Sequence, residues 1–265
     1  FNKSSLFLNL NTNKLNLVID LGNSSLKVAL FDKNLMISKF IYTNQSLSII
    51  SDLFKNNVIN NSLISNVSTI DKNILDFLKI NSNLISINES TDLPFINLYK
   101  TKNTLGHDRI ALVSAAAIDF PDQNILIIDA GTCITYDFKN TKNEYLGGGI
   151  SPGIQMRFKS LNSETSNLPL STINLNNKLI GDNTDSSINS GVVNGVIYEI
   201  NGIISQYQER FKNIKIILTG GDSNFLLKKI KNTIFADQNF LLKGLNYLLE
   251  DNIKKWKNFY LLFYF

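Results

Sequence analysis

Short apolar runs that end in polar turns predict several β-strands in this chain. Residues 17–20 (LVID) and 26–31 (LKVALF) predict a strand pair around the turn GNSS. Residues 125–129 (ILIID) and 133–138 (CITYDF) predict a second pair around AGT. Other runs predict helices at 46–56, 71–79, 105–118, 187–211, 223–231 and 239–250, and strands at 63–67, 84–87 and 214–219. This alternation of strands and helices is typical of an α/β fold.

The two strand pairs share one pattern of residues, which indicates an internal repeat. Asp20-Leu21-Gly22 in the first pair corresponds to Asp129-Ala130-Gly131 in the second. Because residues, turn and flanking strands all match, the repeat suggests a duplicated domain. We therefore expect an N-terminal lobe at residues 15–119 and a C-terminal lobe at 120–252. Residues 1–14 and 253–265 are expected to be extensions of unknown role.

Composition and charge narrow the classes of function. The 265 residues are 43% hydrophobic and 18% charged, which is ordinary for a globular protein. The net charge is +4, and no cluster of Lys or Arg before residue 250 predicts nucleic-acid binding. A single cysteine, Cys133, fits a reducing compartment. No apolar run reaches the roughly 20 residues that span a bilayer, so we expect a cytoplasmic protein that binds neither nucleic acid nor membrane.

The Asp-x-Gly turns are candidates for phosphate and metal binding. A glycine turn lets backbone amides approach a phosphate, and a carboxylate at the strand end can hold Mg²⁺ or its waters. The first turn supplies Asp20, Gly22, Asn23, Ser24 and, on the next strand, Lys27. The second supplies Asp129, Gly131 and Thr132. Such turns are also common in ordinary hairpins, so the hypothesis depends on finding two in equivalent positions.

The remaining signals leave alternatives open. The glycine run at 147–153 resembles GxGxxG, but Pro152 occupies the third glycine's position and no Walker lysine follows. It predicts either a structural turn or a loop that approaches a ligand. Asp108 begins a predicted helix, where the helix dipole favours an acidic residue without any catalytic role. Arg109 could bind a carboxylate or lie on a solvated face. With His107 as the only histidine, hydrolase chemistry is disfavoured.

Taken together, the motifs resemble those of the type III pantothenate kinases, which belong to the acetate kinase, sugar kinase, Hsp70 and actin superfamily. The ordered set covers residues 17–250. Ser24 stands where the family usually has Thr, which keeps the hydroxyl. The matching segments are DLGNS at 20–24, GHDR at 106–109, DAGT at 129–132, GGISPG at 148–153, Thr184 and TGG at 219–221.

This resemblance implies an actin-like (ribonuclease H-like) duplicated α/β fold with two lobes around a central cleft. It implies an ATP-dependent kinase that phosphorylates the primary hydroxyl of pantothenate to 4'-phosphopantothenate, the first step of coenzyme A biosynthesis. The implied cofactors are Mg²⁺ with ATP and a monovalent cation, K⁺ or NH₄⁺. The implied assembly is a homodimer with the pantothenate pocket near its interface, so that Thr184 could serve the neighbouring subunit.

The resemblance also implies a role for each matching residue. Asp108 would be the general base, Asp20 would hold Mg²⁺ through ATP, and Asp129 would bind the monovalent cation. The expected ATP-binding residues are Asp20, Leu21, Gly22, Asn23, Ser24, Ser25, Leu26, Lys27 and Thr132. The expected pantothenate-binding residues are Tyr99, Gly106, His107, Asp108, Arg109 and Thr184, with Arg109 as the partner of the substrate carboxylate.

Two alternatives stay open at this point. The chain could be an actin-like kinase or phosphatase for another small molecule. It could also be a catalytically silent relative that acts as a regulatory accessory factor. Such a relative is expected to lose a phosphate-binding or base residue, whereas Asp20, Asp108 and Asp129 are all present.

Overall fold

The computed structural model describes residues 14–22, 25–66, 70–88, 90–174, 178–230 and 234–263, the last of these without the side chains of 255–263. Contacts between residues divide the chain into two compact units. The described residues up to Thr91, together with those from Leu249 onwards, form the first unit. Asp92–Leu248 form the second. Each unit contains one β-sheet, so the predicted α/β class is confirmed.

The sheet of the first unit has five strands in the order β3-β2-β1-β4-β5. The helices that begin in this unit, among the described residues, are α1 (Leu47–Asn56) and α2 (Lys72–Asn81). The strands are β1 (Leu15–Leu21), β2 (Leu26–Asp32), β3 (Leu35–Tyr42), β4 (Ile59–Ile64) and β5 (Asn83–Ser86). β2 pairs antiparallel with β1 and β3, whereas β4 pairs parallel with β1 and β5. Because β1 is buried along almost its whole length, its run of apolar residues forms the centre of this unit.

The sheet of the second unit has six strands in the order β11-β10-β7-β8-β9-β6. It repeats the antiparallel hairpin of the first unit, since β7 and β8 pair antiparallel and β10 runs parallel to β7. The strands are β6 (Ile96–Asn97), β7 (Ile125–Ala130), β8 (Cys133–Lys139), β9 (Glu144–Pro152), β10 (Lys215–Thr219) and β11 (Phe235–Ala236).

The helices of the second unit cover both faces of its sheet. Tyr136 belongs to the apolar cluster that β7 and β8 share with the long helix after residue 194. Side chains alternate along a strand, so Asp137 faces the opposite side, where it contacts Arg109 of the helix at 107–119. The helices that begin in this unit are α3 (His107–Asp119), α4 (Ile154–Ser163), α5 (Thr184–Asn189), α6 (Gly195–Arg210), α7 (Ser223–Leu227) and α8 (Phe240–Phe263), and the part of α8 from Leu249 onwards belongs to the first unit.

Two local features shape these helices. α5 and α6 form one continuous helix with a π-helical segment, Ser190–Asn194, between them. α8 approaches α3 closely at Gly244, where an added Cβ would lie 1.9 Å from the Ala111 carbonyl oxygen. Only glycine allows this contact, and it brings α8 against the buried, alanine-rich face of α3.

The structure corrects three interpretations of the sequence. The glycine run at 147–153 is no loop, because its first six residues belong to β9 and pair with β8. The predicted final helix 239–250 continues to Phe263 as α8, and the unknown role of the expected extension 253–265 stays a prediction. The predicted helix 187–211 begins earlier and contains the π-helical segment. The predicted boundary between the lobes, at 119/120, falls inside the second contact unit. It stays a prediction about where the two copies of the repeat meet along the chain.

Candidate functional site

The first Asp-x-Gly hairpin places Asp20 and Lys27 opposite each other on β1 and β2. Lys27 Nζ lies 3.2 Å from Asp20 Oδ2, and the Asp20 carboxylate is almost fully buried. Gly22 N donates to Ser25 O at 3.0 Å, which closes the turn that follows β1. This arrangement holds one carboxylate in place at the end of a central strand, next to the turn that the bond between Gly22 and Ser25 closes.

Ser65, which the sequence did not single out, is a further partner of Asp20. Its hydroxyl donates to Asp20 Oδ1 at 3.1 Å and accepts from Leu21 N at 3.3 Å. Ser65 directly follows β4, which lies parallel to β1. The carboxyl ends of parallel strands meet at one sheet edge, and this rule could have indicated a polar residue there.

Part of the predicted ATP-binding turn lies outside the described residues, namely Asn23 and Ser24. Gly22, Ser25 and Leu26 are described, and Leu26 is buried at the start of β2. Among the described residues, an added Cβ at Gly22 would come within 4 Å of Ser25 O alone, at 3.6 Å. The described surroundings therefore do not require glycine at this position, and a close approach by a ligand is one physical reason for having it.

In the second unit, Asp108 lies in the first turn of α3 and is exposed. Its Oδ1 accepts a hydrogen bond from Arg109 N at 2.8 Å. A Cβ added to Gly106 would lie 2.3 Å from the same oxygen. Gly106 thus leaves the space in which the Asp108 carboxylate turns back onto the helix N-terminus. His107, between them, is half-buried.

Arg109 is buried and paired with Asp137 of β8. Its Nε donates to Asp137 Oδ1 at 2.8 Å, and Nη2 lies 2.7 Å from the same oxygen. The Tyr145 hydroxyl of β9 also donates to this oxygen, at 2.6 Å. The Arg109 guanidinium lies 5.5 Å from the centre of the Tyr99 ring, which stacks on Tyr145.

Burial and hydrogen bonding have opposite effects on the pKa values of Arg109 and Asp137. Burial raises the pKa of Asp137, while Arg109 and the Tyr145 hydroxyl act to lower it. Burial acts to lower the pKa of Arg109, but the hydrogen bond and charge of Asp137 outweigh it and raise that pKa above its ordinary value. Burial also raises the pKa of Tyr145, so its hydroxyl stays protonated and donates.

The second Asp-x-Gly hairpin places Asp129 at the end of β7, opposite Thr135. The Asp129 carboxylate lies against Gly220, where an added Cβ would be 2.4 Å from Oδ1. Gly220 also has φ of +93°, a conformation that favours glycine. Thr132 is exposed, and its carbonyl accepts from Gly153 N at 3.0 Å. The glycines of the TGG and GGISPG segments therefore support this turn.

Thr184 lies at the start of α5, in a different part of the second unit. With Arg157 it lines a cavity of about 720 Å³ whose other lining residues come from α4, the segment before α5, α5 itself and the π-helical segment. Tyr99, His107, Asp108 and Arg109 do not line this cavity. The structure thus groups Gly106 with Asp108 and Tyr99 with Arg109, and places Thr184 elsewhere on the same unit.

Arg157 is anchored at the edge of this cavity. Its Nη2 donates to Glu199 Oε2 at 2.5 Å and to Ser151 Oγ at 2.8 Å. The Tyr136 hydroxyl donates to Glu199 Oε1 at 2.8 Å. Burial acts to raise the pKa of Glu199, but the bonds from Arg157, Tyr136 and Ser151 outweigh it and lower that pKa. This network joins α4 to α6 and holds the end of β9.

Metal binding by the chain alone finds little support among the described residues, which contain no group of three or more His, Cys, Asp or Glu side chains suited to a metal ion. Mg²⁺ commonly binds through one or two carboxylates together with substrate phosphates and waters. Asp20 therefore fits an ion that arrives with a nucleotide. Within the described ranges, no helix combines the length and the apolar character needed to cross a bilayer.

Solved structures with a similar fold support the predicted architecture. A Baf family protein of Campylobacter jejuni is 24% identical, with a TM-score of 0.57 over 90% of this chain and 99% of its own. The activator of the 2-hydroxyisocaproyl-CoA dehydratase from Clostridium difficile, solved with bound ADPNP, has a TM-score of 0.53 at 11% identity. It covers 92% of this chain and 97% of its own. The predicted actin-like fold is thereby confirmed.

Sequence comparisons identify the family. The family model for type III pantothenate kinase matches residues 16–206. The type III pantothenate kinase of Christiangramia forsetii is 47% identical over 90% of this chain and 99% of its own length. That of Flavobacterium johnsoniae is 42% identical over 87% of this chain and 95% of its own. The chain belongs to the type III pantothenate kinase family.

Proposed function

We propose that the chain transfers the γ-phosphoryl group of ATP to the primary hydroxyl of pantothenate, in the cytoplasm, as the first step of coenzyme A biosynthesis. The observation that carries this proposal is the family match over residues 16–206, because this range includes every residue of the candidate site from Asp20 to Thr184. Phosphoryl transfer depends mainly on positioning and on charge stabilisation. The site contains groups suited to both.

Asp108 is the general base in this proposal. Its carboxylate is exposed at the N-terminus of α3, and Oδ2 is free of the bond that Arg109 N makes to Oδ1. Asp108 removes the proton from the pantothenate hydroxyl, whose oxygen forms a bond to the γ-phosphorus. The bond between the γ-phosphorus and the bridging oxygen breaks, and ADP leaves with that oxygen. A positioned base of this kind contributes roughly 10²–10⁴ in rate.

The first hairpin binds the ATP phosphates. The ATP-binding residues are those at 20–27, aided by Thr132. Lys27 supplies a positive charge, and Ser65 keeps Asp20 oriented through the bond to Oδ1. Mg²⁺, when bound with ATP, neutralises charge on the β- and γ-phosphates. Asp129 holds the monovalent cation, K⁺ or NH₄⁺, in this proposal.

Pantothenate binds through Tyr99, the 106–109 segment and Thr184. Arg109 is the proposed partner of its carboxylate, through the N–H groups that Asp137 does not occupy. Since Thr184 lines a separate cavity of the same unit, we further propose that the working form is a homodimer. In that form Thr184 reaches the pantothenate of the neighbouring subunit.

The test is ADP release by the purified protein with Mg²⁺, K⁺, ATP and pantothenate. We expect turnover with pantothenate, little turnover with sugars and other small acids, and stimulation by K⁺ or NH₄⁺ over Na⁺. Asp108→Asn should lower kcat by about 10²–10⁴ while ATP still binds. Asp52→Asn is the matched control, because Asp52 is an exposed carboxylate on α1 that pairs with Lys55 of the same helix.

Different outcomes select among the alternatives. Turnover with another small molecule, but not with pantothenate, would identify a different actin-like kinase. Absence of ADP release with every substrate would favour a regulatory accessory factor. Near-normal turnover by Asp108→Asn would remove Asp108 from the role of base.

A further inference from the structure

A buried charged cluster lies beside the candidate base and includes two residues without an assigned role. Arg109 is 5% exposed, and Asp137 and Tyr145 are 0% exposed. Three groups converge on Asp137 Oδ1, namely Arg109 Nε at 2.8 Å, Arg109 Nη2 at 2.7 Å and the Tyr145 hydroxyl at 2.6 Å. The cluster therefore joins α3, β8 and β9 through one oxygen atom.

Some buried polar atoms of this cluster make hydrogen bonds and others do not. Asp137 Oδ2 and Thr135 Oγ1 are buried and make no hydrogen bond of good geometry, although the Thr135 hydroxyl lies close enough to lower the pKa of Asp137. Arg109 Nη2 contacts Oδ1 as an ion pair and makes no hydrogen bond of good geometry. A cluster that served only the fold would be expected to satisfy these groups.

Burial of this pair is also costly for the fold. Removing two charges from water is unfavourable, and apolar side chains of similar volume are often as stable as a buried ion pair or more so. A role in positioning a neighbouring group would account for keeping the pair. Arg109 follows Asp108 directly, and its guanidinium lies 5.5 Å from the centre of the Tyr99 ring.

Tyr145 connects the two partners of Arg109. Its hydroxyl binds Asp137, while its ring stacks on Tyr99 with centroids 6.0 Å apart and planes 19° apart. Gly147, two residues later on β9, lets the Tyr99 ring lie close, because a Cβ there would be 3.2 Å from Tyr99 Cδ2. Tyr145 therefore contacts both side chains that border the guanidinium.

We propose that Asp137 and Tyr145 are positioning residues, which hold the Arg109 guanidinium in one orientation under Tyr99 and so make the enzyme select substrates that carry a carboxylate. The inference depends on the proposed function only for the identity of that substrate. Asp137 occupies the Nε side of the guanidinium, which leaves its remaining N–H groups for the substrate. A fixed guanidinium fork reads a carboxylate better than a mobile one.

The first experiment compares Asp137→Asn and Tyr145→Phe with the wild type on two substrates. These are pantothenate and its primary amide, which keeps the reacting hydroxyl but has no charge. For Asp137→Asn we expect KM for pantothenate to rise about tenfold or more, while KM for ATP stays constant. The preference for pantothenate over the amide, as a ratio of kcat/KM, should fall by a similar factor. Tyr145→Phe should show a smaller shift in the same direction.

Tyr136→Phe is the matched control for Tyr145→Phe. Tyr136 also donates its hydroxyl to a carboxylate, that of Glu199 at 2.8 Å, but on the opposite face of the sheet. We expect its preference for pantothenate over the amide to equal that of the wild type. An equal loss of kcat/KM on both substrates by Asp137→Asn, or an unchanged preference, would overturn the proposal, because either outcome indicates a purely structural role.

A second measurement needs no substrate. In the wild type, the ¹⁵Nε–¹Hε signal of Arg109 should be protected from exchange with water, and Asp137→Asn should remove most of that protection. Protection that persists in folded Asp137→Asn would contradict the proposal. Loss of protection, together with a wild type that does not phosphorylate pantothenate, would support the positioning role and refute the proposed function alone. If Asp137→Asn does not fold, the same measurement on Tyr145→Phe decides.

Discussion

At the scale of single residues, the space left by Gly106 decides where the Asp108 carboxylate lies. A Cβ at this position would be 2.3 Å from Asp108 Oδ1, which is far inside van der Waals contact. The methyl group of Gly106→Ala must therefore displace the carboxylate. Misplacement of a catalytic group by about 1 Å can cost around 10²-fold in rate. We expect kcat to fall by about 10–100-fold with an unchanged KM for ATP, as measured by ADP release.

Gly202→Ala is the control for this prediction. Gly202 lies inside α6, and nothing would come within 4 Å of an added Cβ. Because alanine favours the helix, this change should raise the free energy of unfolding by about 0.5–1 kcal/mol and leave kcat unaltered. Equal kcat values for Gly106→Ala and Gly202→Ala would show that the Asp108 carboxylate tolerates the methyl group.

The sequence indicates those residues of the candidate site that lie in local motifs, and not those that meet only through the fold. Asp20 and Asp108 could be predicted because each lies beside its glycine in a local motif, where spacing along the chain reflects spacing in the structure. Local motifs do not indicate Ser65 and Asp137, since their partners Asp20 and Arg109 are distant in sequence. Such pairs become visible only when strand order and register are known.

At the scale of elements, Lys139 at the end of β8 holds three segments together. Its side chain is fully buried, and Nζ donates to the carbonyls of Phe120, Pro121 and Gln123 at 2.6–3.1 Å. It also donates to Asn143 Oδ1 at 2.7 Å. The end of α3, the start of β7 and the β8–β9 turn thus share one ammonium group.

Lys139→Met should destabilise the protein because it leaves these carbonyls without a donor. An unpaired buried polar group costs about 1–3 kcal/mol, so we expect a loss of at least this size in urea unfolding at pH 7. Lys159→Met, an exposed position on α4, should change stability by less than about 0.5 kcal/mol. A similar small change for both variants would contradict the structural role of Lys139.

Lys139 also predicts a pH dependence of stability. Burial lowers the pKa of Lys139 from 10.5 to about 8, while the Asp122 carboxylate acts to raise it. Between pH values of about 8 and 10.5, the unfolded chain therefore binds more protons at this site than the folded chain. The free energy of unfolding then rises with pH in this range. Wild type should gain stability relative to Lys139→Met as the pH is raised; parallel profiles would show that the pKa is not lowered.

Elements with clear periodicity could be predicted, whereas four strands (β3, β6, β9 and β11) and the helix α4 were missed. The hairpin strands were found because apolar residues end at a polar turn. β9 was missed because its glycines suggest a loop; in the structure Gly148 packs so closely on β8 that a Cβ would lie 1.6 Å from Tyr136 O. β3 lies at a sheet edge and exposes Leu35, Ile37 and Ile41, so no clean alternation marks it. α4 begins directly after the glycine run, whose glycines suggest a loop and not the start of a helix.

At the scale of the whole molecule, the duplication is visible in sequence, but the contact units are not. The repeated hairpins lie in different units, each next to a parallel strand, as the internal repeat predicts. The first unit, however, combines residues up to Thr91 with those from Leu249 onwards. The order of residues along the chain does not reveal contacts between segments so far apart, and the boundary at 119/120 stays a prediction about the repeat.

The proposed homodimer makes a prediction for mixtures of variants. Asp108→Asn and Thr184→Val should each be inactive or nearly so when assembled with themselves. If Thr184 serves the neighbouring subunit, a heterodimer has one site with both changes and one intact site. An equal mixture that has exchanged subunits should then recover about a quarter of wild-type activity. Sedimentation of the wild type as a monomer, or the absence of recovery despite exchange, would contradict this assembly.

The π-helical segment between α5 and α6 has a consequence for how this cavity can change. A π-helical turn holds one residue more than an α-helical turn, and Gly191 within it is exposed with open space around it. Deleting Gly191 would let the segment become α-helical. Five residues at the π-helical angle of roughly 80° turn about as far as four residues at the α-helical 100°, so Thr184 would keep nearly the same direction relative to α6. Loss of a single codon in the gene could therefore shorten this wall of the cavity by one residue while Thr184 stays on the same side of the helix.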